Sequence, residues 1–294
     1  MQASLIRVLP VANILGEGVQ WNAADQAFWW TDIHARRLYR HHLATDSTRH
    51  WDLPERLGSF CFPAAGPGII AAFETGFARF DPETGDLAWL HRPEAGGTGR
   101  RFNDGRVDRQ GRFWAGTMVE DAAKAGAGTA SLWCLDRDGS LHRRVDGIAI
   151  SNGLGWSVDG TLLHLADSVP GTVTRYRQDT ATGALSDPTP WLQLPPGDSP
   201  DGATVDGEGG YWSAIWGGSR LSRYRPDGTE DGRILLPVTQ PTCVSFGGPG
   251  MDVLCVTSAR DGLSPGALAA QPQAGHIFLF QGPVRGLEEG RYAG

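Results

Sequence analysis

Apolar and polar positions alternate with period two in short runs along the chain, and clusters of Gly, Pro, Asn and Asp interrupt the alternation at regular intervals. Runs of this kind occupy residues 19–32, 60–73, 107–118, 154–168, 203–216 and 244–258, each folded about a tight turn. A second strand pair follows every one of them, with apolar runs at 38–40, 77–80, 132–135, 173–176, 221–224 and 277–280. Several of the second-half runs lead into Asp138-Gly139, Asp227-Gly228, Thr84-Gly85 or Thr182-Gly183, where glycine supplies the positive φ of a hairpin turn. The pattern therefore predicts four strands per repeat. The large apolar residues that anchor the first strands, Trp21, Phe62, Val107, Trp156, Val205 and Phe246, recur about every 40 to 50 residues, the period of propeller blades.

Six such repeats fill residues 1–294 as one all-β, six-bladed β-propeller domain of four-stranded antiparallel blades. No amphipathic helix of ten or more residues is expected. The run at residues 5–9 has no partner of its own, so it should complete the last blade and close the ring, which removes an exposed sheet edge. Two Ala- and Gly-rich stretches, 119–130 and 259–275, break the regularity, and the first is a candidate lid over one mouth of the channel.

Composition narrows the partner. The chain has 41 Gly and 19 Pro spread along its length and 11 Trp to fill cores, which favours one closed β architecture. A net charge of -7 and short basic runs exclude a nucleic-acid or anionic-membrane surface, which needs clustered Lys and Arg. The expected partner is a small molecule, and the expected state is a monomer or weak homo-oligomer. Cys61, Cys134, Cys243 and Cys255 have no C-x-x-C spacing, so they read as reduced core thiols. The N-terminal apolar run contains Arg7, which fits a strand of a cytoplasmic protein rather than a signal peptide.

The chemistry lies in a shared register. The residue four before each anchor is Glu17, Gly58, Asn103, Asn152, Asp201 or Thr242, and four of these six carry a carboxylate or carboxamide oxygen. In a propeller the innermost strands line the axis, so these positions converge on the central channel. Two carboxylates and two amide oxygens, without His or Cys, suit a hard divalent cation such as Ca²⁺, Mg²⁺ or Mn²⁺, with Zn²⁺ or Fe²⁺ also open. Asn-Asp-Gly, Asn-Gly and Asp-Gly are also strong turn signals, and a purely structural reading of them stands beside the functional one.

The segments Leu15-Gly16-Glu17-Gly18, Arg101-Phe102-Asn103-Asp104-Gly105, Gly116-Thr117-Met118, Ile150-Ser151-Asn152-Gly153, Pro200-Asp201-Gly202 and Trp216-Gly217-Gly218 resemble, in order and nearly end to end, the motifs of the SMP-30/gluconolactonase/regucalcin family. The resemblance implies a six-bladed propeller with one divalent metal ion in its channel, hydrolysing sugar lactones to aldonic acids. It makes Glu17, Asn152 and Asp201 the metal ligands. Asn103 would help hold substrate or a metal-bound water, and Arg101 would bind substrate hydroxyls. The family's substrate-contacting acid falls at Asp121, next to Glu120; some members carry Glu there, so the shorter Asp leaves the sugar open.

The metal would then polarise the lactone carbonyl, and Asp201 would act as general base, with a metal-bound hydroxide as the alternative. A calcium-binding regulatory protein and a phosphotriesterase-like hydrolase on the same metal site are the competing functions. Asp32 and His34 form a tempting pair, but His34 reads as a surface residue beyond the second strand of its blade. Ser151 lacks a G-x-S-x-G setting, Gly96-Gly97-Thr98-Gly99 lacks the helix of a phosphate loop, and Trp216 could stack on a sugar or simply pack.

Overall fold

The computed structural model describes residues 3–126 and 129–294. Among the described residues, the strands form six antiparallel four-stranded sheets arranged as a six-bladed β-propeller. The inner strands are Gly16–Asn22, Leu57–Cys61, Arg100–Val107, Ser151–Trp156, Ser199–Val205 and Pro241–Gly247, in blades one to six. The N-terminal strand Ser4–Leu9 pairs antiparallel with Ile277–Gln281 and becomes the outermost strand of the sixth blade, so the two ends of the chain close the ring as expected.

Hydrophobic cores lie between neighbouring blades, because each sheet has two faces to cover and its neighbours cover both. Between the fifth and sixth blades, for example, Trp212, Ala214 and Leu221 pack against Val244, Phe246, Leu254 and Phe278. The predicted anchors all lie in these cores: Trp21, Phe62, Val107, Trp156, Val205 and Phe246 are buried. The four cysteines are buried and unpaired.

Among the described residues two short helices interrupt the strands, one in each of the two irregular stretches. Helix α1 spans Ala122–Ala125 and α2 spans Pro265–Ala270. Of the expected lid, residues 127 and 128 lie outside the described residues. Among the described residues, no helix is long and apolar enough to cross a membrane.

One feature of the inner strands decides where the chemistry sits. Each changes register against its neighbour at the same level: between Glu17 and Gln20, Leu57 and Ser59, Phe102 and Gly105, Asn152 and Gly155, Pro200 and Ala203, and Pro241 and Val244. Each shift places one extra residue on the inner strand, the signature of a β-bulge, which bends the strand and re-aims a side chain. The six positions that share a register in the sequence stand at or beside these bulges. In two blades the bulge needs a left-handed residue directly after the polar one: Gly18 at φ 59° and Gly153 at φ 58°. Gly58 is a different case, because a Cβ there would lie 2.6 Å from the carbonyl oxygens of Phe102 and Asn103, so this blade cannot offer a side chain.

One buried side chain links opposite blades. Arg106, from the third blade, crosses to the opposite sixth blade and donates to Val244 O at 2.7 Å, while its Nη1 meets Glu289 of the C-terminal tail at 2.6 Å. The tail is fastened beyond that point, since Tyr292 N donates to Phe62 O and Ala293 N to Gly111 O.

Candidate active site

At the open mouth lies a cavity of about 450 Å³ whose floor and walls include Glu17, Arg101, Asn103, Asn152 and Asp201. The inner strands bring these five together from blades one, three, four and five. Thr242 and Gly58, the remaining positions of the register, do not line it: the Thr242 hydroxyl is taken up by Gly16 O and Thr257.

A directional chain of hydrogen bonds fixes the carboxamides. Arg101 Nη1 can only donate, and it donates to Asn103 Oδ1 at 2.8 Å. Asn103 Nδ2 therefore faces the next blade and donates to Asn152 Oδ1 at 3.0 Å and to Ser151 O at 3.1 Å. Asn152 Nδ2 then donates to Ser168 Oγ at 2.8 Å, and Ser168 passes its proton bond on to Pro200 O at 2.7 Å. With both amide nitrogens committed, each side-chain oxygen has one orientation. Asn103 Oδ1 and Asn152 Oδ1 each accept one of these bonds and each keep a second lone pair.

The carboxylates are in the opposite condition. Glu17 Oε2 accepts from Gly18 N at 3.1 Å and Asp201 Oδ1 from Gly202 N at 3.1 Å, each a bond to the next residue's own backbone. Burial pushes the Glu17 carboxyl up to about 8, and the Asp104 carboxylate adds to the shift. Burial likewise holds Asp201 well above the ordinary carboxylate range, followed by repulsion from Glu17 and Asp104. Asp104 itself is raised by burial, although Arg106 and the Leu154 amide partly offset it. Three buried acids thus share a region whose nearby arginines are committed elsewhere.

That imbalance is a test of whether the donors fit a cation. Buried carboxylates are costly unless paired, and a divalent ion among Glu17, Asp201 and the Asn152 oxygen would supply the missing positive charge with an all-oxygen donor set. The residues fit a hard divalent ion. Among the described residues no three His, Cys, Asp or Glu side chains are placed to hold a metal ion, so the donor set reaches three through the Asn152 carboxamide.

Arg101 is buried beside this set. Its Nη1 also donates to Phe102 O, and its Nε lies 3.2 Å from Glu120 Oε1. Glu120 is gripped in turn by Arg56 Nη1 and Nη2 at 2.7 and 2.8 Å, and the Arg56 hydrogen bonds draw its carboxyl down to about 2. Glu120 lines the cavity. Asp121 does not: its exposed side chain caps α1 by accepting from Ala123 N and Lys124 N. The stretch expected as a lid thus contributes Glu120 to the rim.

Three further placements bear on the sequence reading. His34, expected at the surface, is half-buried and lines the cavity, because the turn that carries it hangs from buried Ile33. Asp32 accepts from Ile14 N, Leu15 N and Ala35 N, a structural task that separates it from His34. Trp216 lines the cavity and also packs against Leu15, Ile33 and Ala259. Ser168 and Asp261 also line the cavity and Arg56 holds Glu120; of these only Asp261 carries a signal in the sequence, its place in the irregular stretch 259–275.

Comparison with known proteins places this geometry. Residues 15–260 match the SMP-30/Gluconolactonase/LRE-like region family. The chain is 36% identical to an L-arabinolactonase of Azospirillum brasilense, over 96% of this chain and 93% of that protein. It is 34% identical to a 6-deoxy-6-sulfogluconolactonase of Pseudomonas putida, over the full length of both. Among solved structures, the calcium-binding protein regucalcin of Agrobacterium tumefaciens superposes with a TM-score of 0.92 at 30% identity, covering 98% of this chain and 97% of that one.

Proposed function

The chain belongs to the SMP-30/Gluconolactonase/LRE-like family, and from that membership and the geometry of the cavity we propose that it hydrolyses a sugar lactone to the aldonic acid. The observation that carries this reading is the juxtaposition of two environments in one cavity. A pair of underpaired buried acids, Glu17 and Asp201, faces a donor-rich wall built on Arg101. A pure calcium site has use for the first and none for the second.

Glu17, Asn152 and Asp201 would hold one divalent cation, which when bound supplies Lewis acidity to the lactone carbonyl. Arg101 binds and orients the substrate hydroxyls, because its guanidinium offers up to five donors in a fixed plane and is itself anchored on Asn103 and Glu120. Asn103 keeps both Arg101 and Asn152 in place. Asp201 accepts the proton of the attacking water at its carboxylate, and its Oδ1 is steadied by Gly202 N. Glu120 completes the substrate wall.

The competing reading is a calcium-binding protein without turnover, favoured by the likeness to regucalcin. A panel of arabinono-, glucono-, xylono- and galactono-lactones, assayed with chelated protein and with each divalent ion restored, separates the two. Turnover of at least one lactone that depends on the ion supports the proposal, and binding of calcium without turnover of any lactone sinks it.

A further inference from the structure

We propose that His34 and Asp261 form a hydroxyl-recognition site at the mouth of the cavity, with His34 as a substrate-binding residue and Asp261 as the residue that positions it. The proposal deepens the lactonase reading and rests on it.

Both side chains line the same cavity as Arg101 and Asp201, yet they come from opposite ends of the chain. The sequence separation is bridged by one small apolar plug. Ile33, Leu15 and Ala259 are buried together, and Trp216 packs on them. His34 follows Ile33, and its turn is fixed because Ile33 N donates to Leu15 O and Arg36 N to Ile33 O. Asp261 sits two residues beyond Ala259, and its backbone is held at both ends: Asp261 N donates to Ile14 O, and Gln240 Nε2 donates to Asp261 O. Two rigid backbones therefore present two polar side chains to one opening.

The spacing between them is informative. His34 Nε2 stands 3.8 Å from Asp261 Oδ2, longer than a hydrogen bond. An oxygen about 2.8 Å from each atom would form a triangle with both, accepting from the imidazole N–H while donating its one proton to the carboxylate. A sugar hydroxyl meets that requirement, being donor and acceptor at once. The side chains remain 26% and 48% exposed, so they are available at the mouth. Burial and the charge of Arg101 favour the neutral imidazole, which keeps one ring nitrogen as donor and the other as acceptor.

A purely structural pair linking the first and sixth blades predicts a different result, which kinetics can separate. The substrates are a polyhydroxylated lactone, such as arabinonolactone, and an unsubstituted ring lactone without hydroxyls, assayed with the metal-loaded protein. For His34→Ala we expect KM for the polyhydroxylated lactone to rise about tenfold with kcat within about twofold, as expected for one lost hydrogen bond in substrate binding. The unsubstituted lactone should respond by less than about twofold. His34→Gln, which restores a donor and an acceptor, should recover most of the loss. Asp261→Asn should show the same hydroxyl-dependent effect in smaller measure, and it should not add to His34→Ala. Equal losses on both lactones, or no change on either, would overturn the proposal while leaving the lactonase reading intact. The polyhydroxylated lactone is the one of the arabinono-, glucono-, xylono- and galactono-lactones that wild type turns over fastest, and wild-type protein that hydrolyses none of them overturns the lactonase reading, and the proposal with it.

Discussion

Asn103 donates its amide to Asn152 Oδ1 across 3.0 Å while its own Oδ1 accepts from Arg101, so one side chain ties the substrate wall to the candidate metal ligands. Removing it should disturb both sides at once. Asn103→Ala is expected to lower kcat/KM by roughly 10- to 100-fold and to weaken metal binding by less, because partners behind a ligand orient it rather than bind the ion. Metal titration and lactone hydrolysis on the same variant check this. Unchanged values in both would mean that the bond is incidental.

Arg101 should divide binding from turnover. Its protonated guanidinium has no lone pair for a cation, so Arg101→Ala is expected to leave metal affinity unchanged or slightly raised. Lactone kcat/KM should fall by at least about tenfold, roughly 1.4 kcal/mol of transition-state contact. Calorimetric titration alongside the assay reads both, and unchanged hydrolysis would remove Arg101 from the substrate wall.

Glu120 and Asp121 are neighbours with different surroundings. Glu120→Gln weakens the pairing with Arg56 and Arg101 at the cavity wall and should lower kcat/KM about tenfold. Asp121→Asn alters the cap of α1 and the exposed ion pair with Lys124, both away from the cavity, and kinetics should stay within about twofold of wild type. The reverse pattern would put Asp121 at the substrate instead.

The buried acids make the metal-free protein sensitive to pH in a defined direction. Glu17 titrates at about 8 in the folded chain against an ordinary value of 4.5, and Asp201 is raised as well. The folded state then binds more protons than the unfolded state across this window. Stability from Glu17 is complete below about pH 4.5 and is lost as pH rises through about 8, and Asp201 acts in the same direction. The melting temperature of chelated protein should fall over that range, and saturating divalent ion should flatten the fall. Ion binding near pH 7 should also release protons, measurable in buffers of different ionisation enthalpy. A flat profile without metal would contradict the electrostatic account.

Much of this was legible in the sequence, for physical reasons that particular residues show. The blades could be read because Trp21, Val107 and Trp156 must recur at the blade period to fill the cores between sheets. The ring could be read because Glu17, Asn103, Asn152 and Asp201 share one register, and the structure adds the bulges that turn them toward the cavity. Thr242 belonged to the same register but spends its hydroxyl on Gly16 O, a choice that periodicity cannot reveal. The place of His34 in the cavity wall is not legible, because local pattern puts it past a strand, whereas its neighbour Ile33 packs against Ala259, far away in the chain. Arg56 and Ser168 gave no signal, since each matters only through a partner on another segment, Glu120 or Asn152.

The central claim is that ion-dependent lactone hydrolysis runs through Asp201. Wild type and Asp201→Ala, shown by circular dichroism to be equally folded, are compared for acid release from a hydrolysed lactone with divalent ion restored. The account predicts turnover by wild type that chelation abolishes and the ion restores, and none by the variant at any ion concentration. Near wild-type turnover by Asp201→Ala with the ion bound would contradict it.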